Sequence, residues 1–212
     1  MTAAQRAGVE QIVFLSLLGA EHNRFVPHYK IERTIQASGI PWTFLRASFF
    51  MQNLSTIHRE TICERSEIDV PAGNGRTSFI DVRDIAEIAA TILCSSGHDQ
   101  RAYPLTGADA LTYTTVAQIM TEEFDRQIVY PPSSVLTFIR RMRQRGYEWD
   151  FVLVMLAIYT TARLGLTATV TPDATRLLGR APRTMRNFVH DYRDCWLGGA
   201  ASVKTSTTPP SP

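Results

Sequence analysis

The sequence predicts an α/β protein in which a parallel sheet precedes a smaller, mainly helical part. Two short apolar runs, residues 12–15 and 42–45, lie on either side of a stretch with helical periodicity. Apolar runs without alternation are typical of strands that helices cover on both faces, as in a parallel sheet. From residue 116 onward, most apolar residues recur at helical spacing.

The first half begins with a predicted βαβ unit. Residues 2–7 form the end of a helix that Gly8 closes, because glycine tolerates the left-handed conformation of a helix cap. The first strand ends at Ser16 and the second at Arg46, and the helix between them stops at Gly39-Ile40-Pro41 because proline cannot continue a helix. Ligands of parallel sheets bind outside the carboxyl ends of the strands.

The middle of the chain predicts a hairpin and a second helix. Residues 67–71 and 76–80 flank Ala72-Gly73-Asn74-Gly75, where Asn-Gly suits a hairpin turn that needs positive φ. A phosphate-binding loop is the weaker alternative, because a strand pattern follows instead of a helix N-terminus. Asp81 then begins a helix whose predicted inner face consists of Ile85, Ile88, Ala89, Ile92 and Leu93.

The second half predicts an edge strand followed by helices. Residues 102–106 form a strand at the sheet edge, because Pro104 cannot donate to a ladder. Thr115 and Gln118 fit a capping box for the next helix, whose inner face contains Val116, Ile119, Met120 and Phe124. A short strand at 128–130 precedes a helix that Ser133 or Ser134 caps. Its basic face is interpreted as solvated, with a site for an anionic partner as the alternative: Arg140, Arg141, Arg143 and Arg145.

The last part predicts an apolar helix and two short helices. Residues 149–163 form the apolar helix, which is expected to be buried. Thr171-Pro172 begins a short helix that Gly179 ends, and Thr184 caps a final helix. Residues 198–212, rich in Ser, Thr, Pro and Ala, are predicted to be disordered.

Composition excludes several classes of function. A net charge of +2 over 212 residues predicts no nucleic-acid partner. The three cysteines are far apart, which indicates free thiols in a reducing compartment, and we expect a cytoplasmic protein. The longest apolar stretch falls well short of the ~20 residues that cross a bilayer, so no membrane partner is expected. No spacing of His, Cys or Ser predicts a metal site or hydrolytic catalysis.

Several segments, in order, resemble the NmrA-like branch of the atypical short-chain dehydrogenases/reductases. They are IVFLSLLGAE, FVPHYKIERTIQASGIPWTFLR, SFFMQN, TSFIDVRDIAEIA, LTGADALTY and LLGRAPRTMRNFVHDYRDCW. The resemblance implies a truncated Rossmann-like fold. Residues 1–112 would be the C-terminal part of an NAD(P)-binding domain with a substrate-side insertion near 49–76, and residues 113–197 a mainly helical substrate domain.

The GxxGxxG turn with which this family begins has no counterpart in the sequence. Since a βαβ unit takes about 30 residues, roughly 80 or 90 residues of the first nucleotide-binding half are expected upstream of Met1. We expect the chain alone to bind NADP or NAD weakly, because the pyrophosphate rests on that glycine turn. The same truncation would leave the strand at 12–15 on an open edge, where self-association is expected.

The resemblance also implies the site residues. Lys30 is the expected catalytic residue, and it would bind the nicotinamide ribose together with Ser16. The family's nicotinamide and substrate ring follow the second strand, which implies contacts with Ala47, Phe49 and Phe50, and with the substrate at Phe50 and Asn53. The position four residues before Lys30, where the superfamily has its tyrosine, is Val26. His28 is the alternative proton relay, and an ordinary structural histidine is the competing interpretation.

The function expected from the resemblance is that of an NAD(P)H-dependent oxidoreductase that reduces a small quinone or carbonyl compound. A second hypothesis is a non-catalytic NAD(P) sensor, which Val26 favours because valine carries no proton. A third is an inactive fragment without the dinucleotide-binding glycine motif.

Overall fold

A computed structural model describes residues 2–131 and 133–197. The strands are β1 (Ile12–Leu17), β2 (Trp42–Ala47), β3 (Phe49–Phe50), β4 (Arg76–Ile80), β5 (Arg101–Leu105) and β6 (Ala110–Thr112). The α-helices are α1 (Thr2–Arg6), α2 (Pro27–Gln36), α3 (Arg59–Arg65), α4 (Val82–Leu93), α5 (Tyr113–Phe124), α6 (Val135–Gln144), α7 (Trp149–Arg163), α8 (Asp173–Leu178), α9 (Met185–Asp191) and α10 (Asp194–Leu197). Two 3-10 helices cover Ala20–His22 and Met51–Leu54.

The predicted βαβ unit is confirmed. Strands β1, β2 and β5 form a parallel sheet in the order β1-β2-β5. Ser16 is in register with Arg46, so both side chains point to the same face of the sheet. The predicted edge position of the strand with Pro104 is also confirmed, since β5 is the last strand of this sheet.

A second small sheet forms the start of the helical part. Strand β4 lies between β3, which is parallel to it, and β6, which is antiparallel. One hydrophobic core packs α4 and α8 against the parallel sheet through Leu45, Ala47, Ile80, Ile85, Ile88, Ile92, Leu105 and Ala174. The larger core combines residues 51–72 with α5, α6, α7, α9 and α10. Packing therefore crosses residue 112, and the division of domains there stays a prediction.

The predicted hairpin around Gly73 is wrong. Strand β4 pairs with β3 and β6, and residues 67–71 contribute only an isolated bridge between Glu67 and Val129. The strand predicted at 128–130 is reduced to that same bridge. Positive φ occurs at Gly73 (57°), one residue before the predicted Asn-Gly pair. The local turn signal did not decide the pairing of β4, because β3 and β6, which are distant in sequence, let this strand bury its apolar side chains.

Two other local predictions are corrected. Thr112 caps α5, with its hydroxyl accepting from the amide of Thr115, because the short strand β6 brings the chain into the helix three residues early. Leu93 is 58% exposed, since it follows the buried Ile92 by one residue and therefore points about 100° away from it around the helix. The caps at Ser134 and Thr184 and the left-handed cap residue Gly179 are confirmed.

The apolar helix is confirmed at Trp149–Arg163, although only one of its faces is buried. Val152, Met155 and Tyr159 lie in the core, whereas Leu153 and Val154 are more than half exposed. Among the described helices, none is long and apolar enough to cross a membrane. Residues 198–212, predicted to be disordered, lie outside the described residues.

Candidate functional site

A buried polar network lies where β1 and β2 end. The Ser16 hydroxyl donates to Glu32 Oε1 at 2.5 Å. Arg46 donates from Nε to Oε1 of the same carboxylate at 3.0 Å and from Nη2 to Oε2 at 2.7 Å. Its Nη1 lies 3.2 Å from Glu21 Oε1. Glu32 projects from α2 onto the sheet, so this network joins the helix to the carboxyl ends of both strands.

The electrostatics keep Glu32 charged. Burial alone would raise the pKa of its carboxyl, but the hydrogen bonds from Arg46 and Ser16 outweigh burial and the pKa is lowered. Burial alone would lower the pKa of Arg46, and the bond to Glu32 raises it instead. The two groups are therefore an ion pair at neutral pH. The Ser16 hydroxyl donates its hydrogen to Glu32. Toward a ligand it can therefore act only as a hydrogen-bond acceptor.

Lys30 lies away from this network. It is exposed on α2, two residues before the buried Glu32. Side chains two positions apart on an α-helix differ in direction by about 200°, so Lys30 and Glu32 lie on nearly opposite sides of α2. His28, four residues before Glu32, is on the sheet-facing side, and its ring centroid lies 6.1 Å from that of Phe14. The structure thus brings Ser16, Glu32 and Arg46 together and turns Lys30 outward. Sequence reasoning missed Glu32, for which the only signal was its helical spacing from His28.

The other predicted residues follow β2. Ala47 is buried at 2% exposure, and Phe49 and Phe50 are partly buried. Because successive residues of a strand face opposite sides, the rings of Phe49 and Phe50 point away from each other. Phe50 packs against the core of the parallel sheet, whereas Phe49 packs against the helical core with its ring centroid 6.4 Å from that of Phe79. Asn53, also partly buried, lies on the 3-10 helix that follows.

Three contacts hold this 3-10 turn from different sides. The Gln52 amide bonds to Asp81 and to the backbone of Val82 at the start of α4. The carbonyl of Leu54 accepts from the indole of Trp196 at 3.2 Å. His58, whose amide bonds to the Asn53 carbonyl, lies with its Nε2 2.5 Å from the Tyr159 hydroxyl. None of these partners was predicted, because each is distant in sequence.

His58 is held neutral by its surroundings. It is 3% exposed, and burial followed by the positive charge of Arg145 lowers its pKa to about 4. Burial raises the pKa of the Tyr159 hydroxyl far above its ordinary value. The pair is therefore a neutral hydrogen bond that fixes the turn to α7.

The residues fit the nicotinamide end of a dinucleotide better than its diphosphate. Partly buried aromatic rings next to the carboxyl end of β2 offer a flat, apolar surface to a planar ring. The glycines of the 72–75 loop serve packing instead, since a Cβ at Gly75 would meet the Ala162 carbonyl oxygen of α7 at 2.0 Å. No GxxGxxG sequence accompanies them.

A cavity of about 220 Å³ lies elsewhere, between α3 and α6. Its walls combine apolar side chains with charged side chains of both signs, which include Glu60, Asp69, Arg141 and Arg145. It contains none of the predicted site residues. In the described part of the chain, no group of three or more His, Cys, Asp or Glu side chains could hold a metal ion.

Comparisons with known proteins agree with this fold. The sequence model of the NmrA-like family matches residues 1–189. The chain is 32% identical over 192 residues to the NAD(P)H azoreductase of Xenophilus azovorans, covering 89% of this chain and 67% of that protein. Two further curated relatives, from Dictyostelium discoideum and Bacillus subtilis, are covered over only 60% and 54% of their lengths.

Solved structures give the same result. The NADPH-dependent quinone oxidoreductase QOR2 of Escherichia coli superimposes with a TM-score of 0.81 at 25% identity, covering 91% of this chain and 70% of that one. The transcriptional regulator NmrA, solved with NAD, shares the fold with a TM-score of 0.66 at 15% identity, covering 90% and 66% of the two chains. The chain belongs to the NmrA-like family.

Proposed function

We propose that this protein is an NAD(P)H-dependent oxidoreductase that reduces a small quinone or carbonyl compound. The observation that carries the proposal is the turn after β2, where the partly buried rings of Phe49 and Phe50, on opposite sides of the strand, are followed by the amide of Asn53. Such a mixture suits a flat, weakly polar substrate beside a nicotinamide ring. The similarity to an NAD(P)H azoreductase and a quinone oxidoreductase supports it.

The residues at the end of β2 and on the turn after it have two proposed roles. Ala47, Phe49 and Phe50 would hold the nicotinamide, and Phe50 and Asn53 the substrate. When bound, a reduced nicotinamide supplies a hydride. The Ser16 hydroxyl donates to Glu32 and can only accept a hydrogen bond from the cofactor. Ser16 would thereby orient the amide of the nicotinamide or a ribose hydroxyl.

The proton that completes the reduction needs a donor. Lys30, on the outer face of α2, would have to fold its side chain back over the helix to reach the site. His28 lies on the inner face and needs no such movement. We therefore propose His28 ahead of Lys30 as the proton relay, with Lys30 kept as a ribose contact.

A steady-state assay with NADPH or NADH and a panel of quinones and aldehydes tests this function. We expect turnover with at least one quinone. We expect His28→Ala to lower kcat about a hundredfold or more, as loss of a proton donor does. Lys30→Ala should chiefly weaken cofactor binding. A larger loss of kcat in Lys30→Ala than in His28→Ala would reverse the two roles.

The alternative is a non-catalytic NAD(P) sensor. Val26 carries no proton, and Ser16 is already committed to Glu32, so two positions that could donate a proton do not. Binding of NADPH in calorimetry without turnover of any compound in the panel would favour the sensor over the enzyme.

We also propose self-association through β1. This strand is an edge of the parallel sheet, and Leu15 and Leu17 are 45% and 40% exposed on it. Unpaired backbone groups next to apolar side chains favour pairing with another chain. Light scattering of the purified protein tests this. We expect a mass that rises with concentration, and a smaller rise in Leu15→Lys.

A further inference from the structure

We infer that Gln52 is a positioning residue that holds the substrate wall of the site in place. The inference rests on the proposed function, because Gln52 lies between Phe50 and Asn53, the two residues proposed to contact the substrate. Its side chain reaches the junction of β4 and α4.

The carboxamide of Gln52 makes two hydrogen bonds of opposite sense. Its Nε2 donates to Asp81 Oδ1 at 2.8 Å, and its Oε1 accepts from the amide of Val82 at 3.1 Å. A carboxamide can do both at once, whereas an apolar side chain of similar size can do neither. Asp81 is fully buried, so water does not compete for the first bond.

Asp81 is itself fixed to two further elements. Its Oδ1 accepts from the amide of Arg83 at 2.9 Å, which caps α4. The Arg83 guanidinium bonds to both oxygens of Asp81 and reaches Asp191 of α9 at 2.7 Å. Burial alone would raise the pKa of Asp81, but the bonds from Arg83 and Gln52 lower it, so the acceptor stays charged. Gln52 therefore ties the turn to a rigid, three-element anchor.

The position of this contact along the turn gives it its role. The contacts of Leu54 with Trp196 and of His58 with Tyr159 hold the far end of the segment. The Gln52 contact alone, among these three, lies between the proposed substrate residues. A 3-10 helix has poor internal hydrogen-bond geometry and keeps its shape through such outside contacts. Loss of the Gln52 contact would let Phe50 and Asn53 shift together.

The test is Gln52→Met in the full chain, with Ser134→Ala as the matched control. Ser134 caps α6, so its loss lowers stability without touching the turn. With NADPH and the best quinone, we expect kcat/KM for the quinone to fall roughly tenfold in Gln52→Met, since small misplacements cost rate steeply. The NADPH dissociation constant should rise by a smaller factor, because Ser16, Lys30 and Ala47, which are also proposed to contact the cofactor, lie outside the turn. In the free protein, hydrogen exchange of the amides at 51–58 should become faster only in Gln52→Met.

The outcomes are distinct. Unchanged quinone kinetics in Gln52→Met, or an equal fall in Ser134→Ala, would overturn the positioning role. If Gln52→Met does not fold, Gln52→Asn is measured instead, because its carboxamide keeps both polar groups but is one methylene too short to keep the contacts with Asp81 and Val82. A smaller fall in kcat/KM of the same kind supports the role, and no fall overturns it. A wild-type chain that neither turns over quinones nor binds NADPH refutes the proposed function and this inference together.

Discussion

The two walls of the proposed site are held by different forces. The wall formed by β1 and α2 depends on one ion pair, Glu32 with Arg46, whose arginine still contacts solvent at 15% exposure. The wall formed by the turn after β2 depends on contacts spread along the turn: Gln52 bonds to the buried Asp81, and His58 forms a neutral hydrogen bond with Tyr159. On the first wall the polar side chains satisfy one another, and on the second they leave Asn53 and the aromatic rings for a ligand. The Glu32–Arg46 pair therefore serves as scaffold for the first wall, and the second wall presents the side chains proposed to contact the substrate.

The ion pair should carry the larger share of stability. Glu32→Gln leaves Arg46 with only the partly exposed Glu21 as a charged partner. Removing one partner of a buried pair costs about 3–5 kcal/mol, and the remaining partner should keep the cost near the low end, at about 3 kcal/mol. Urea unfolding measures the loss. Glu21→Gln is the control and should cost less than about 1 kcal/mol. Similar losses in both variants would mean that the pair is no scaffold.

The turn wall should be sensitive to acid through His58. The unfolded state binds a proton near the ordinary pKa of 6.5, whereas the buried ring binds it only near pH 4. Stability is therefore full above pH 6.5 and is lost as pH falls from 6.5 toward 4, by about 3 kcal/mol in total. The measurement is the free energy of unfolding at several pH values in wild type and in His58→Gln. The difference between the two should shrink by that amount over this window.

The control for this pH dependence is His22→Gln, since the His22 side chain is 85% exposed. Its stability profile should follow that of the wild type. If His58→Gln also follows the wild type, the buried histidine does not make the turn wall acid-sensitive.

A smaller effect is expected from Tyr159→Phe. The change removes one hydroxyl and leaves the buried Nε2 of His58 without its partner, which costs about 2 kcal/mol. It should also speed hydrogen exchange at the Asn53–His58 end of the turn. Tyr147→Phe, on a partly buried ring between α6 and α7, is the comparison and should lie within about 0.5 kcal/mol of wild type. Equal stability of Tyr159→Phe and wild type would show that the turn is held by packing alone.

Local signals in the sequence were enough to predict most of the helices and the strands of the parallel sheet. These signals are local, because they act through the backbone preferences of neighbouring residues. They are the apolar runs at 12–15 and 42–45, the helix breakers Gly39 and Pro41, and the caps at Asp81, Ser134 and Thr184. The resemblance to the NmrA-like family could also be seen in short segments, because each segment keeps its own pattern.

Tertiary structure alone decided which side chains meet. Ser16 faces Glu32, Gln52 faces Asp81 and His58 faces Tyr159, pairs that lie 16, 29 and 101 residues apart. Strand β4 pairs with β3 and β6 and not with the neighbouring segment 67–71 that the turn signal predicted. Lys30 is exposed because Glu32, two residues later on α2, occupies the side of the helix that faces Arg46. Sequence patterns indicate the secondary structure that neighbouring residues prefer. The partner of a buried polar group depends instead on which distant elements pack within hydrogen-bond distance of it.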